Sequence, residues 1–123
     1  VAREVAVAPY EHEADGLQMV RLMKNIAYTK NKPLALTETG LENNSPEDSD
    51  YFNKKWWTQM LYKVIEGQPV SFVLVWRNGD FPRNGGHYFG AFRGCYSEED
   101  FLDFAAKKQV LLENDLPDMY SPL

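Results

Sequence analysis

Glu38 is the residue of this chain best placed to do chemistry. It stands in Pro33-Leu-Ala-Leu-Thr-Glu-Thr-Gly40, a short apolar run bracketed by a proline and a glycine, so an ionisable group closes what otherwise reads as a buried strand. Taking a carboxylate out of water is costly unless it is paired. An acid at the last inward position therefore belongs to a rim, where it pairs with an arginine, or to a working site. In barrels of parallel strands, the C-terminal rim carries the catalytic groups. Glu38 has the number parity of Leu34 and Leu36, which predicts that it continues their row on one sheet face.

A second cluster, Trp76-Arg77-Asn78, closes another apolar run. Trp76 shares a parity with Phe72 and Leu74, and its indole offers an apolar platform for a sugar ring. Arg77 and Asn78 add donors and an acceptor within reach of hydroxyls. Core packing for Trp76 and a solvated loop position for Arg77 form the competing reading. Tyr10 follows a first strand-like run, where its phenol would donate to a neighbouring carboxylate. His12 and His87 lack ligand spacing, and the one cysteine, Cys95, offers no thiolate cluster, so no metal site and no cofactor are expected. The aromatic-rich connection that carries His87, Tyr88, Phe89 and Phe92 suits a cleft wall or lid.

The elements that must hold these residues alternate. A strand-like run at residues 5–9 precedes helical spacing over 15–30, with Leu17, Val20, Met23, Ile26 and Ala27 apolar. Residues 34–38 read as a second strand. A polar loop follows, then a helix capped by Asp48 or Asp50 that carries Phe52, Trp56, Trp57, Leu61, Val64 and Ile65, with Gly67 at its C-terminal cap. Residues 70–76 form the strongest strand. Ser97-Glu-Glu-Asp100 has the pattern of a capping box ahead of a last helix over 98–112. This order predicts an α/β fold, a parallel βαβαβα unit. The last strand is apolar on both parities, so both its faces need cover, and three helices cover only one. Residues 1–123 thus read as a single partial domain.

At 123 residues the chain has room for one core. A net charge of −5 argues against a nucleic-acid partner. No apolar run reaches the length of a membrane helix, and no signal-peptide pattern opens the sequence.

Taken in order, residues 33–40, Trp56-Trp57, Val73-Leu-Val-Trp-Arg-Asn78, and His87-Tyr-Phe followed by Ser97-Glu-Glu-Asp-Phe101 resemble glycoside hydrolase family 26. That family consists mainly of retaining β-1,4-mannanases on a (β/α)8 TIM barrel. The resemblance runs from about Tyr10 to Tyr120 and covers the C-terminal third of a family domain. It implies that the three strands are the sixth, seventh and eighth of the barrel. It further implies that Glu38 is the nucleophile, with Tyr10 hydrogen-bonded to it, although Ala8-Pro9-Tyr10 departs from the family's Asp-x-Tyr-like tip. Trp76 is implied as the floor under the sugar being cleaved and Arg77 as a contact to the next mannose, with Asn78, His87 and Tyr88 completing the substrate-binding set. The implied partners are a β-mannan polysaccharide and the remainder of the barrel, in a secreted or periplasmic enzyme. The family's acid/base lies at the end of strand four, which this chain lacks, so the isolated chain is expected to be inactive. A non-catalytic carbohydrate-binding unit using Trp76, Tyr88 and Trp57, an inactive barrel fragment, and a mixed-linkage glucanase or xylanase are the alternatives.

Overall fold

Helix α1 spans Glu13–Thr29 and strand β1 Leu34–Thr39. A π-helical turn, Trp56–Leu61, runs directly into the short helix α2, Tyr62–Ile65. Strand β2 is Val70–Val75, helix α3 is Glu98–Ala105, and a 3-10 turn covers Glu113–Asp115. The computed structural model describes residues 13–47, 51–79 and 87–118. The predicted first strand at 5–9, Tyr10, His12 and the expected capping residues Asp48 and Asp50 lie outside the described residues.

The two strands are parallel neighbours, joined by the helical segment 56–65 as a parallel pair requires. Leu34 lies opposite Val70, Leu36 opposite Val73 and Thr39 opposite Val75. These pairs share the face that packs on the helices, where Leu34 and Leu36 join Val20, Trp56, Trp57, Leu61, Val64, Ile65 and Phe104 in the core. Neither tryptophan reaches an outer face; the rings meet edge to face with centroids 4.9 Å apart, a favoured aromatic geometry. In α1, Val20 is buried with Met19, Met23 and Ala27 partly so, whereas Ile26 is exposed.

Three elements differ from expectation. The helix after the polar loop starts at Trp56 rather than near Phe52, and it starts as a π turn. Its cap comes from another helix: Asp100, 1% exposed, accepts hydrogen bonds from the Trp57 N–H at 2.9 Å, the Thr58 N–H at 3.2 Å and the Thr58 hydroxyl. One buried carboxylate thus satisfies two orphan donors of the first turn. For the same reason Ser97-Glu-Glu-Asp100 is no capping box. Asp100 is turned away to the π turn, and the buried Ser97 hydroxyl accepts from Trp57 Nε1–H at 3.2 Å. Finally, α3 ends at Ala105 rather than near Leu112. The stripe begun by Phe101 and Phe104 meets Lys107 and Lys108 one turn on, leaving no apolar face to bury. The chain turns there, with Val110 N–H bonded to the Lys107 carbonyl at 2.9 Å, and Val110 packs on the core. Gly67, at φ 67°, does follow α2 in the left-handed conformation expected of a C-terminal cap glycine.

Candidate functional site

Between Leu36 and Thr39 the register of β1 slips against β2. Thr37 and Glu38 together stand opposite the single residue Leu74, which is a β-bulge. The consequence for Glu38 is decisive. Thr39 takes the helix-side position opposite Val75 and is buried, at 5% exposed. Glu38, its neighbour, lies on the opposite face and is partly exposed. Number parity alone puts Glu38 in the row of Leu34 and Leu36, and the structure corrects this. That row faces the helices, and the bulge takes the acid out of it.

The face that receives Glu38 is the one bearing Phe72, Leu74 and Trp76, which are 54%, 44% and 38% exposed. Trp76 extends the ladder beyond β2, its N–H donating to the Thr39 carbonyl at 2.8 Å. The C-terminal tips of both strands thus stand side by side, with a carboxylate and an indole on one open face. Arg77 is exposed at the same end.

The other candidates occupy a strap that crosses these tips. Asn78 Oδ1 accepts the N–H groups of Phe89 at 2.9 Å and Gly90 at 2.8 Å, and its Nδ2 donates to the Gly90 carbonyl at 3.2 Å. On the β1 side, Asn43 N–H donates to the Tyr88 carbonyl at 2.8 Å, while Tyr88 N–H donates to Asn43 Oδ1 at 2.9 Å. The Tyr88 ring packs edge to face on Phe92. His87 Nδ1 lies 3.1 Å from a Glu42 carboxylate oxygen, and its carbonyl accepts the Gly79 N–H at 2.6 Å.

Two glycines permit the strap to lie this close. Gly40 has φ 144°, and a Cβ there would come within 2.8 Å of the Phe89 ring. At Gly79 a Cβ would run into the His87 imidazole. Asn43 itself holds φ 46°, a left-handed conformation that asparagine tolerates better than most residues. Asn43 and Glu42 are not among the residues the sequence singles out. The signal available is the Asn43-Asn44 pair just beyond Gly40, where short amides brace loops. Asn44 does the same for its own loop, exchanging two hydrogen bonds with the Asn53 backbone.

Among the described residues, no group of three or more His, Cys, Asp or Glu side chains converges on a metal position, and no helix is long and apolar enough to cross a membrane.

Searched against known proteins, the chain matches no family model and no curated protein. It does match solved structures. One is a GH26 beta-mannanase from Bacteroides ovatus, BoMan26A, with 32% identity and a TM-score of 0.72 over 89% of this chain. Another is GH26C from Muricauda sp. MAR_2010_75, with 24% identity and a TM-score of 0.75, again over 89% of this chain. The chain spans only 29% and 28% of the lengths of these two proteins.

Proposed function

The chain is related in fold and sequence to a portion of the glycoside hydrolase family 26 domain, and on that premise we propose that it forms the last three β/α units of a retaining endo-β-1,4-mannanase barrel. The single observation that carries the reading is the bulge that sets Glu38 on the face of Trp76, at the C-terminal end of a parallel pair. In this reading β1 and β2 are the seventh and eighth strands, and their open face is the barrel interior.

The chemistry follows from that placement. Retaining hydrolysis needs two carboxyl groups about 5–5.5 Å apart. Glu38 supplies one. Its carboxylate attacks the anomeric carbon of a mannose resting on the Trp76 indole, forming a glycosyl-enzyme ester as the bond to the leaving oxygen breaks. The second carboxyl, from a strand outside this chain, protonates that oxygen and then deprotonates the water that hydrolyses the ester. Arg77, exposed beside Trp76, binds the hydroxyls of the next sugar. The role of Tyr10 as hydrogen-bond donor to the nucleophile rests on the family resemblance alone. Loss of general-acid assistance alone costs on the order of 10²–10⁴ in rate, so this chain by itself is inactive.

The test is a galactomannan assay of the chain alone and of the chain co-expressed with the N-terminal part of the barrel. Activity is expected in the second case only, and turnover by the chain alone contradicts the two-carboxylate argument. Titration with mannohexaose separates the alternative of a self-sufficient binding module, which binds as an isolated chain.

A further inference from the structure

We infer that Asn43 and Asn78 are positioning residues, which hold segment 87–90 across the tips of both strands and thereby fix Trp76 relative to Glu38. The inference rests on the mannanase reading for its catalytic consequence but on hydrogen bonds for its geometry. Asn78 commits three hydrogen bonds to Phe89 and Gly90. An amide so engaged acts through the backbone it holds, and this reassigns Asn78 from a sugar contact to a brace. Asn43 holds the neighbouring residue, Tyr88, through one backbone and one side-chain bond.

The two asparagines grip adjacent residues of one segment from opposite sides. Asn43 lies three residues beyond Gly40 in the loop that leaves β1, and Asn78 lies two residues beyond Trp76. Phe89, whose N–H Asn78 accepts, rests against Gly40, which no larger residue could replace without displacing it. The Trp76 N–H bond to the Thr39 carbonyl is the last rung of the ladder. Beyond that rung, the strap is the described connection that ties one tip to the other. Misplacement of a reacting group by about 1 Å can cost on the order of 10² in rate, so a brace of this kind acts on turnover without touching substrate.

Two readouts test this, and they separate the brace from the mannanase reading. Trp56 and Trp57 are 5% and 3% exposed against 38% for Trp76, so acrylamide quenching of this chain reports chiefly on Trp76. Asn78→Ala is expected to raise that quenching, and Asn78→Asp, which keeps both accepted N–H bonds, to bring it most of the way back to the wild-type level. Asn43→Gly suits the positive φ and removes the amide without backbone strain; it is expected to raise quenching as well. In the completed barrel, Asn78→Ala lowers kcat by up to about 10²-fold with little change in KM, and Asn78→Asp recovers it. Wild-type quenching and wild-type kcat in the Asn43→Gly/Asn78→Ala double variant would overturn the inference, as would failure of Asn78→Asp to recover either. Full activity of Glu38→Gln in the same barrel would sink the mannanase reading instead, while the quenching result still decides the brace.

Discussion

Glu38 and Trp76 share a face of the sheet because β1 carries one residue more than β2 between Leu36 and Thr39. If that extra residue is overlooked, the sequence numbers mislead, since Glu38 has the parity of two leucines buried beneath the helices. The bulge lets Leu36 and Thr39, three residues apart, both be buried on the helix side, and so leaves Glu38 on the other face. Bulges are often found beside active sites, where they re-aim a side chain.

This placement makes the first prediction. In the completed barrel, Glu38→Gln is expected to lower mannan hydrolysis by several orders of magnitude and to abolish the covalent glycosyl-enzyme. Mannan-oligosaccharide binding should be nearly unchanged. Mass spectrometry with a slow, activated substrate detects the trapped ester in the wild type, and its persistence in the variant would remove Glu38 from the nucleophile's role.

Gly40 allows the strap to seat. Gly40→Ala places a Cβ within 2.8 Å of the Phe89 ring at a φ of 144°. Strain of the backbone and overpacking together are expected to cost about 2–3 kcal/mol, read as a lower urea midpoint. Gly67→Ala provides a control, since nothing lies within 4 Å of the position its methyl group would take; its cost is the left-handed φ alone, about 1 kcal/mol.

Asp100 caps a helix that is not its own. Asp100→Ala leaves the Trp57 and Thr58 N–H groups without their acceptor in a buried setting, for an expected loss of about 3 kcal/mol. Asp100→Asn keeps one acceptor and should lose clearly less. Chemical denaturation of both variants distinguishes them. Equal stability of Asp100→Ala and wild type would mean that the π turn finds its acceptors elsewhere.

The open face has a cost for the chain on its own. Phe72, Leu74 and Trp76 form an exposed apolar row, and such patches drive association. Sedimentation of the isolated chain is expected to depend on concentration, and Leu74→Lys to reduce that dependence. In the mannanase reading the same substitution faces the barrel interior, so it should impair assembly with the N-terminal part.

By itself the sequence determined the kinds of elements and the family resemblance. The spacing of Val20, Met23 and Ala27 marks one side of α1. The apolar run from Val70 marks a strand, and the motifs around Glu38 and Trp76 point to the glycoside hydrolases whose fold the chain shares in part. Local pattern suffices there, because periodicity and turn residues act between near neighbours. Tertiary structure decided what depends on distant partners. Asp100 reads as part of a cap for α3, yet it caps the π turn 43 residues earlier in the chain. Asn78 shows in the sequence only as an amide beyond a strand tip, and the fold alone discloses that it holds the backbone of Phe89 and Gly90. Alternation along β1 fails at one inserted residue, and only pairing with β2 reveals where the count slips. A carboxylate or an amide bonds whichever backbone donors the fold brings to it, and no local pattern in the sequence names them.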